Sequence, residues 1–304
     1  VSLPSMMEND WSDLAFGIEQ EMDFVALSFI RTAAEVEEVA EFLKKHKSSM
    51  KTIAKIETRQ AVKNIDEIIR VSDGVMVARG DLGAEMPFEK IPAVQDMIVQ
   101  KCRAAGKPVI VATQMLESMI ENPMPTRAEV TDVAHAATTY ADTTMLSGET
   151  AMGKHPVESV KAMSTILLET EHHQHSGHQQ STHTTGERNA LADAAVSMAI
   201  SVKSPAIIVL TRSGKTAMAV SRLRPNLPII ALTQSPQNQR MLQLCYGITP
   251  LLVAFDTDPE TTVDRAFNIA KDAGLVTSGQ KIVLISDTKV KKGVVRAVHI
   301  REIP

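Results

Sequence analysis

The sequence predicts an α/β protein built from parallel βα units in two unequal blocks. Two observations carry this. Five short, near-continuous apolar runs recur in the first half with helix-like sequence between them, and a smaller set follows after a sharply polar break. Short apolar runs rich in β-formers read as strands of a covered sheet, and strand–helix alternation reads as parallel pairing.

The five runs are DFVALSF (Asp23 to Phe29), TIAKIE (Thr52 to Glu57), DGVMVARGD (Asp73 to Asp81), PVIVATQ (Pro108 to Gln114) and DTTMLSGE (Asp142 to Glu149). AAEVEEVAEFLKKH places Val36, Val39, Ala40 and Leu43 on one helical face, with Thr32 and Glu35 spaced as a capping box. Pro92 to Lys107 has a first-turn proline and a closing Gly106, and Thr126 and Glu129 cap a helix reaching Ala137. A further helix ends near Glu171.

The domains expected are residues 1–171, a flexible histidine-rich linker over 172–188, and residues 189–304. The linker holds His172, His173, His175, His178 and His183 but supplies no rigid frame for a metal. Beyond it, Asn189 to Ser201 reads as a helix. AIIVLT (Ala206 to Thr211), PIIALT (Pro228 to Thr233) and KIVLIS (Lys281 to Ser286) read as strands, LLVAF (Leu251 to Phe255) as a weaker one, and VVRAVHI (Val294 to Ile300) as an edge strand. Helices are expected near Thr216 to Leu223 and Thr261 to Ala273.

The chain has 304 residues, 44% hydrophobic and 3% aromatic, so aliphatics and 16 Met must fill the core. A net charge of -4 points to no nucleic-acid or anionic-membrane partner. Nothing approaches the roughly 20 apolar residues of a membrane span, and no secretory segment is visible. That lack of a secretory segment argues against Arg79-Gly80-Asp81 as a cell-adhesion tag, while Cys102 and Cys245 read as free thiols in a reducing compartment, with a bridge between them as the alternative.

Ligands of parallel βα proteins collect at the carboxyl ends of strands. Here the five strands end in Ser28 and Arg31, in Lys55 and Glu57, in Arg79, Gly80 and Asp81, in Thr113 and Gln114, and in Ser147 and Glu149. Lys55 and Glu57 share a face by strand alternation. The bland alternative is a buried ion pair that joins strands. If Asp81 ends the next strand, about 5 Å away, Glu57 and Asp81 are two hard oxygen ligands for Mg²⁺ or Mn²⁺. Glycines at 80 and 83 are expected to permit a tight turn with exposed amides, and Thr113 adds a hydroxyl. Such a mouth suits a small phosphate- or carboxylate-bearing substrate. TRSGKTA is a second anion-site candidate, through Thr211, Arg212, Ser213, Gly214, Lys215 and Thr216, or else an ordinary capped loop.

IAKIETRQAVKNIDEIIRVSDGVMVARGDLGAE, KPVIVATQMLESMIENPMPTRAEVTDVA and MLSGETAMGKHPVESV resemble the pyruvate kinase family over Val1 to about Glu171, and TRSGKTAMAVSRLRPNLPIIALT resembles its C-terminal domain. The resemblance implies a partial TIM (β/α)8 barrel of about five βα units, then a smaller α/β domain with a mostly parallel sheet. It implies phosphoryl transfer from phosphoenolpyruvate to ADP, giving pyruvate and ATP in glycolysis. Lys55 would neutralise the phosphoryl and enolate charge. Glu57 and Asp81 would bind the divalent ion. The amides of Ala78, Gly80 and Asp81 with Thr113 would hold the substrate carboxylate, and Thr113 and Ser147 would lie near the transferred proton. TRSGKT matches a loop that in some members takes a sugar bisphosphate effector.

The chain looks like the part after the family's lid domain, so the expected K⁺ ligands and much of the nucleotide site fall outside it. Incomplete activity, exposed barrel edges and association into a homo-oligomer, a tetramer in the family, are then expected. The compartment expected is the cytosol, with a plastid left open. Departures from the family pattern are Thr58 for Asn, His135 for Asn, Tyr140-Ala141 for Asp-Gly, and SDTKVKKGVVRAVHI for a glycine-rich loop. A non-catalytic regulatory or assembly subunit, and a Mg²⁺-dependent lyase or aldolase on similar substrates, are the alternative readings.

Overall fold

The computed structural model describes residues 5–173, 186–290 and 293–304. The chain divides into two compact units, Val1–Gln174 and His175–Pro304. Most of the histidine-rich segment expected as a linker lies outside the described residues. On its flanks, His172 and His173 end one helix and Glu187 begins the next.

In the first unit the elements run α1 (Glu8–Glu19), β1 (Phe24–Leu27), α2 (Ala33–Lys45), β2 (Lys51–Ile56), α3 (Arg59–Lys63), α4 (Ile65–Val71), β3 (Gly74–Ala78), α5 (Arg79–Glu85), α6 (Ile91–Ala105), β4 (Val109–Ala112), α7 (Arg127–Thr138), β5 (Thr143–Met145), α8 (Gly148–Ala151) and α9 (Pro156–His173). The five strands pair in chain order, all parallel. Alternation then sorts each strand into two faces. Ala54, Ile56, Val75, Val77, Val109 and Val111 share one core with Val36, Val39, Ile68, Ile98, Val99 and Val133 of the helices. The opposite face carries Ile53, Lys55, Met76 and Ile110, and the register sets Lys55 beside Met76 and Met76 beside Ile110.

Central strands β3 and β4 are buried at every residue, whereas the outer strands β1 and β5 are largely half-buried. A groove of ≈ 1440 Å³ runs beside β1 and α1. Exposed Phe16, Met22 and Phe29 lie in this part of the chain. Helix α1 and the pair α3–α4 are absent from the sequence reading. The helical face of α1 buries only Leu14 and Gly17, which is too faint a stripe to read from pattern alone.

The second unit contains α10 (Glu187–Ser201), β6 (Ile207–Leu210), α11 (Lys215–Arg222), β7 (Ile229–Thr233), α12 (Pro236–Leu242), β8 (Ile248–Leu252), α13 (Pro259–Asp272), β9 (Lys281–Val290) and β10 (Gly293–Glu302). Its sheet order is β10-β9-β6-β7-β8, parallel except for the antiparallel edge strand β10. Strand residues alternate between two cores. Ile207, Val209, Ile229 and Ala231 pack with α10 and α11, while Ile208, Leu210, Ile230 and Leu232 pack with Phe267 of α13. The weak strand expected over Leu251 to Phe255 sits earlier, at β8, because Ile248 and Pro250 are its inward residues.

Several local devices match their sequence signals. Gly106 closes α6 at φ 67°, ψ 32°, the left-handed cap that glycine adopts without a Cβ clash. Thr58, one of the departures, caps α3 by accepting the Ala61 N–H at 3.1 Å, the service an asparagine would give there. Tyr140 stands at φ 67° with the Arg103 guanidinium 4.9 Å from its ring centre.

Glu129 completes the cap of α7 and also ties down the preceding turn. It accepts the Thr126 N–H at 2.7 Å, the Ser118 N–H at 2.7 Å and the Ser118 hydroxyl at 2.6 Å. Burial pushes this carboxyl up, but the Ser118 and Thr126 hydrogen bonds outweigh it and hold the group below its ordinary range. A depressed folded value means the stabilisation is complete above the ordinary glutamate range and is lost as pH falls through the folded value. Urea unfolding across the acid limb should therefore show wild type losing stability where Glu129→Gln, already weakened at neutral pH, changes less. Parallel curves for the two proteins would remove Glu129 from the acid response.

Candidate active site

The in-order parallel pairing brings the carboxyl ends of β1 to β5 to one rim, and the expected site residues of this unit are drawn from them. Lys55 lies on β2 with its side chain 24% exposed, and Glu57 just beyond it is 1% exposed. Lys55 Nζ stands 2.7 Å from Glu57 Oε1 and donates to Ser28 Oγ at 2.8 Å. Oε1 is a buried carboxylate oxygen whose neighbour is that ammonium. Oε2 accepts the Phe29 N–H at 2.6 Å. Phe29 adopts φ 54°, a left-handed conformation rare outside glycine, at the end of β1.

The third strand departs from expectation. β3 stops at Ala78, and Arg79-Gly80-Asp81 forms the first turn of α5 rather than the strand's last residues. Asp81 is an exposed residue in that turn, three positions past the strand that neighbours β2. The expected glycine turn is likewise replaced by helix. Gly80 and Gly83 both lie within α5, and neither has positive φ. At Gly80 a Cβ would stand 3.5 Å from the Thr113 hydroxyl, while at Gly83 it would meet only open space.

Thr113 and Gln114 follow β4 at φ 68° and 52°. Thr113 Oγ1 accepts the Gly80 N–H at 2.8 Å and donates to the Ala112 carbonyl at 2.7 Å. Ser147, after β5, has a buried hydroxyl without a hydrogen bond among the described residues. Its N–H donates to Glu149 Oε2 at 2.8 Å, and the fully buried Glu149 also accepts the Leu116 N–H through Oε1 at 2.9 Å.

Two residues at this rim had no role in the sequence reading. Phe29 contributes through its backbone, which no side-chain motif signals. Arg79 was visible as a strand-end cation, but its partners come from distant positions. Its guanidinium donates to the Thr113 carbonyl at 2.7 and 3.2 Å, the Gln114 carbonyl at 3.1 Å and Asp132 Oδ1 at 2.7 Å. His135, another departure, pairs through Nε2 with Asp96 Oδ1 at 2.9 Å and so ties α7 to α6.

Among the described residues, no group of three or more His, Cys, Asp or Glu side chains is gathered to hold a metal. Glu57 and Asp81 supply two hard oxygens near the ends of adjacent strands, and the buried Glu57 Oε1 has the Lys55 ammonium as its neighbour among the described residues. That set fits an ion that keeps several water and substrate ligands, as Mg²⁺ does. In the second unit, Thr211 to Thr216 form the loop between β6 and α11. Gly214 caps α11 at φ 77°, its N–H donating to Thr211 Oγ1 at 3.0 Å, and Arg212 lies 4.7 Å over the Phe255 ring.

Residues 1–160 match the family model described as pyruvate kinase, barrel domain, and residues 189–300 match pyruvate kinase, alpha/beta domain. The chain belongs to the pyruvate kinase family. Similar proteins include a pyruvate kinase of Dictyostelium discoideum, 45% identical over 94% of this chain and 58% of its own length. Chloroplastic pyruvate kinase isozyme G of Nicotiana tabacum is 42% identical over 93% of this chain and 51% of its own length. A solved pyruvate kinase from Cryptosporidium parvum superposes with a TM-score of 0.94 at 37% identity, covering 100% of this chain and 63% of that one. The chain thus spans about half to two thirds of these pyruvate kinases. No helix among the described residues is long and apolar enough to cross a membrane.

Because Gly83 is an exposed helical position with open space around its Cα, Gly83→Ala should raise stability by about 0.5–1 kcal/mol. Denaturant unfolding measures this, and a loss of stability would show that α5 needs a glycine there.

Proposed function

We propose that this chain carries the phosphoenolpyruvate- and metal-binding part of a pyruvate kinase active site, serving phosphoryl transfer from phosphoenolpyruvate to ADP. The observation that carries this reading is the rim itself. A partly exposed ammonium stands against a buried carboxylate at the end of β2, and an exposed acid, a helix-start amide and a threonine hydroxyl follow the same ends of the neighbouring parallel strands.

Lys55, held by Ser28 and Glu57, faces the transferring phosphoryl group and offsets charge that grows on the enolate oxygen. Glu57 and Asp81 hold Mg²⁺ or Mn²⁺, which supplies Lewis-acid charge to the substrate oxygens when bound. The Gly80 amide, with those of Ala78 and Asp81, and the Thr113 hydroxyl receive the substrate carboxylate; Gly80 N–H gives up Thr113 Oγ1, and the Thr113 hydroxyl gives up the Ala112 carbonyl, to donate to it. Thr113 and Ser147 stand nearest the proton that converts enolpyruvate to pyruvate, and the Ser147 hydroxyl has no competing hydrogen bond to break. K⁺ is a further requirement whose ligands lie outside these residues.

The loop Thr211–Thr216 is proposed to take a phosphate-bearing effector through Lys215, Ser213 and the α11 N-terminus. The domain division proposed is 1–171, 172–188 and 189–304. Assembly into a homo-oligomer, the cytosol as compartment and a plastid as the alternative belong to the same reading.

The test has two readouts. Mn²⁺ binding followed by electron paramagnetic resonance should weaken by at least the roughly tenfold that even a supporting partner is worth, both in Glu57→Gln and in Asp81→Asn. Pyruvate release is then followed with phosphoenolpyruvate, Mg²⁺ and K⁺, with and without ADP. ADP-dependent release supports the proposal. Release without ADP would replace it with a lyase, and substrate binding without turnover with a regulatory subunit.

A further inference from the structure

We propose that Arg79 is a positioning residue. It holds the ends of β4 and α5 in the one arrangement that aims the Thr113 hydroxyl at the Gly80 amide. The proposal rests on the reading of this rim as a phosphoenolpyruvate site only for its consequence in turnover; the clamp itself is read from geometry.

Thr113 is β-branched, and at φ 68° it occupies backbone space that such residues avoid. Gln114 follows at φ 52°. Two successive residues in this region persist only where their surroundings over-determine them. One side chain spans the carbonyls of both residues. Arg79 Nη2 and Nε both donate to the Thr113 carbonyl, at 2.7 and 3.2 Å, and Nη2 also donates to the Gln114 carbonyl at 3.1 Å. The planar fork is what allows one group to span two consecutive carbonyls.

The fastening has a second point. Arg79 immediately precedes Gly80, whose N–H donates to Thr113 Oγ1 at 2.8 Å. The start of α5 therefore grips the residue after β4 twice, by a backbone amide on its hydroxyl and by a side chain on its carbonyl. The guanidinium is aimed in turn. Nη1 donates to Asp132 Oδ1 of α7 at 2.7 Å and to Gln95 Oε1 of α6 at 3.4 Å. With the Arg79 side chain 9% exposed, Asp132 supplies the neutralising charge such a buried cation needs. Without the fork, Thr113 relaxes to negative φ and its hydroxyl leaves the Gly80 amide, while no group that touches substrate has been changed.

The experiment uses the full chain with threonine selectively protonated and ¹⁵N-labelled in a deuterated background. A left-handed residue gives a strong intraresidue HN–Hα Overhauser effect. The Thr113 signal is expected to show it in wild type and to lose it in Arg79→Met, with the Thr126 and Thr144 signals unmoved. Asp132→Asn removes the charge that aims the fork while keeping the arginine, so it serves where Arg79→Met does not fold; with the fork no longer aimed, the same Thr113 signal should weaken. Retention of the left-handed signature in the folded variants overturns the proposal. In parallel, kcat/KM for phosphoenolpyruvate should fall by up to about 100-fold, the scale of an ångström-sized misplacement, and Arg79→Lys should restore less than the full rate because one ammonium lacks the fork. Loss of the signature in a chain whose wild type does not bind phosphoenolpyruvate supports the clamp and rejects the substrate assignment instead.

Discussion

Five parallel strands pairing in chain order impose the constraint on which this site depends. Each strand leaves its carboxyl end at the same rim, and alternation decides which side chains face the helices and which do not. Ile56 and Val77 enter the helix-covered core, so Lys55 and Glu57 must take the other face. The pairing of β1 with β2, β2 with β3 and β3 with β4 brings Ser28, Lys55, Gly80 and Thr113 to the same rim, and the Arg79 contacts then set how Thr113 faces Gly80.

That rim concentrates two costs that a core would avoid. One is buried charge, in Glu57 against Lys55 and in Arg79 against Asp132. Removing one member of such a pair commonly costs 3–5 kcal/mol, because the partner is left buried and uncompensated, while the intact pair adds little net stability. The other is backbone strain at Phe29, Thr113 and Gln114. Both costs fall on residues that present an amide, hydroxyl or carboxylate to the rim, where strain and unpaired polar atoms are expected to gather when a site is organised for a ligand.

The remainder of the fold supplies rigidity to these few groups. α2, α4, α6 and α7 cover one face of the sheet, and capping residues such as Thr126 and Glu129 fix where α7 begins, hence where Asp132 stands. The outer strands β1 and β5 are less buried than the central ones, with a groove along β1. The second unit buries both faces of its own sheet in separate cores.

Strand existence, parallel pairing and the caps at Thr32, Gly106 and Thr126 were legible in the sequence, because each depends on local pattern: apolar runs, helical period, and an acid three residues past a hydroxyl. The shared face of Lys55 and Glu57 was legible for the same reason, since alternation is a property of two adjacent positions. What lay past the ends of strands was not. Arg79-Gly80-Asp81 reads locally as a strand end and turn, yet it winds into helix, where Gly80 packs against the Thr113 hydroxyl and Arg79 finds carbonyls 34 and 35 residues away. Only tertiary structure decided that Phe29 gives an amide to Glu57, that Thr113 is held left-handed and that Asp132 aims Arg79. Those contacts join segments distant in the chain, two of them through backbone groups, which carry no residue-specific signal in a sequence, and the Arg79–Asp132 pair across 53 residues.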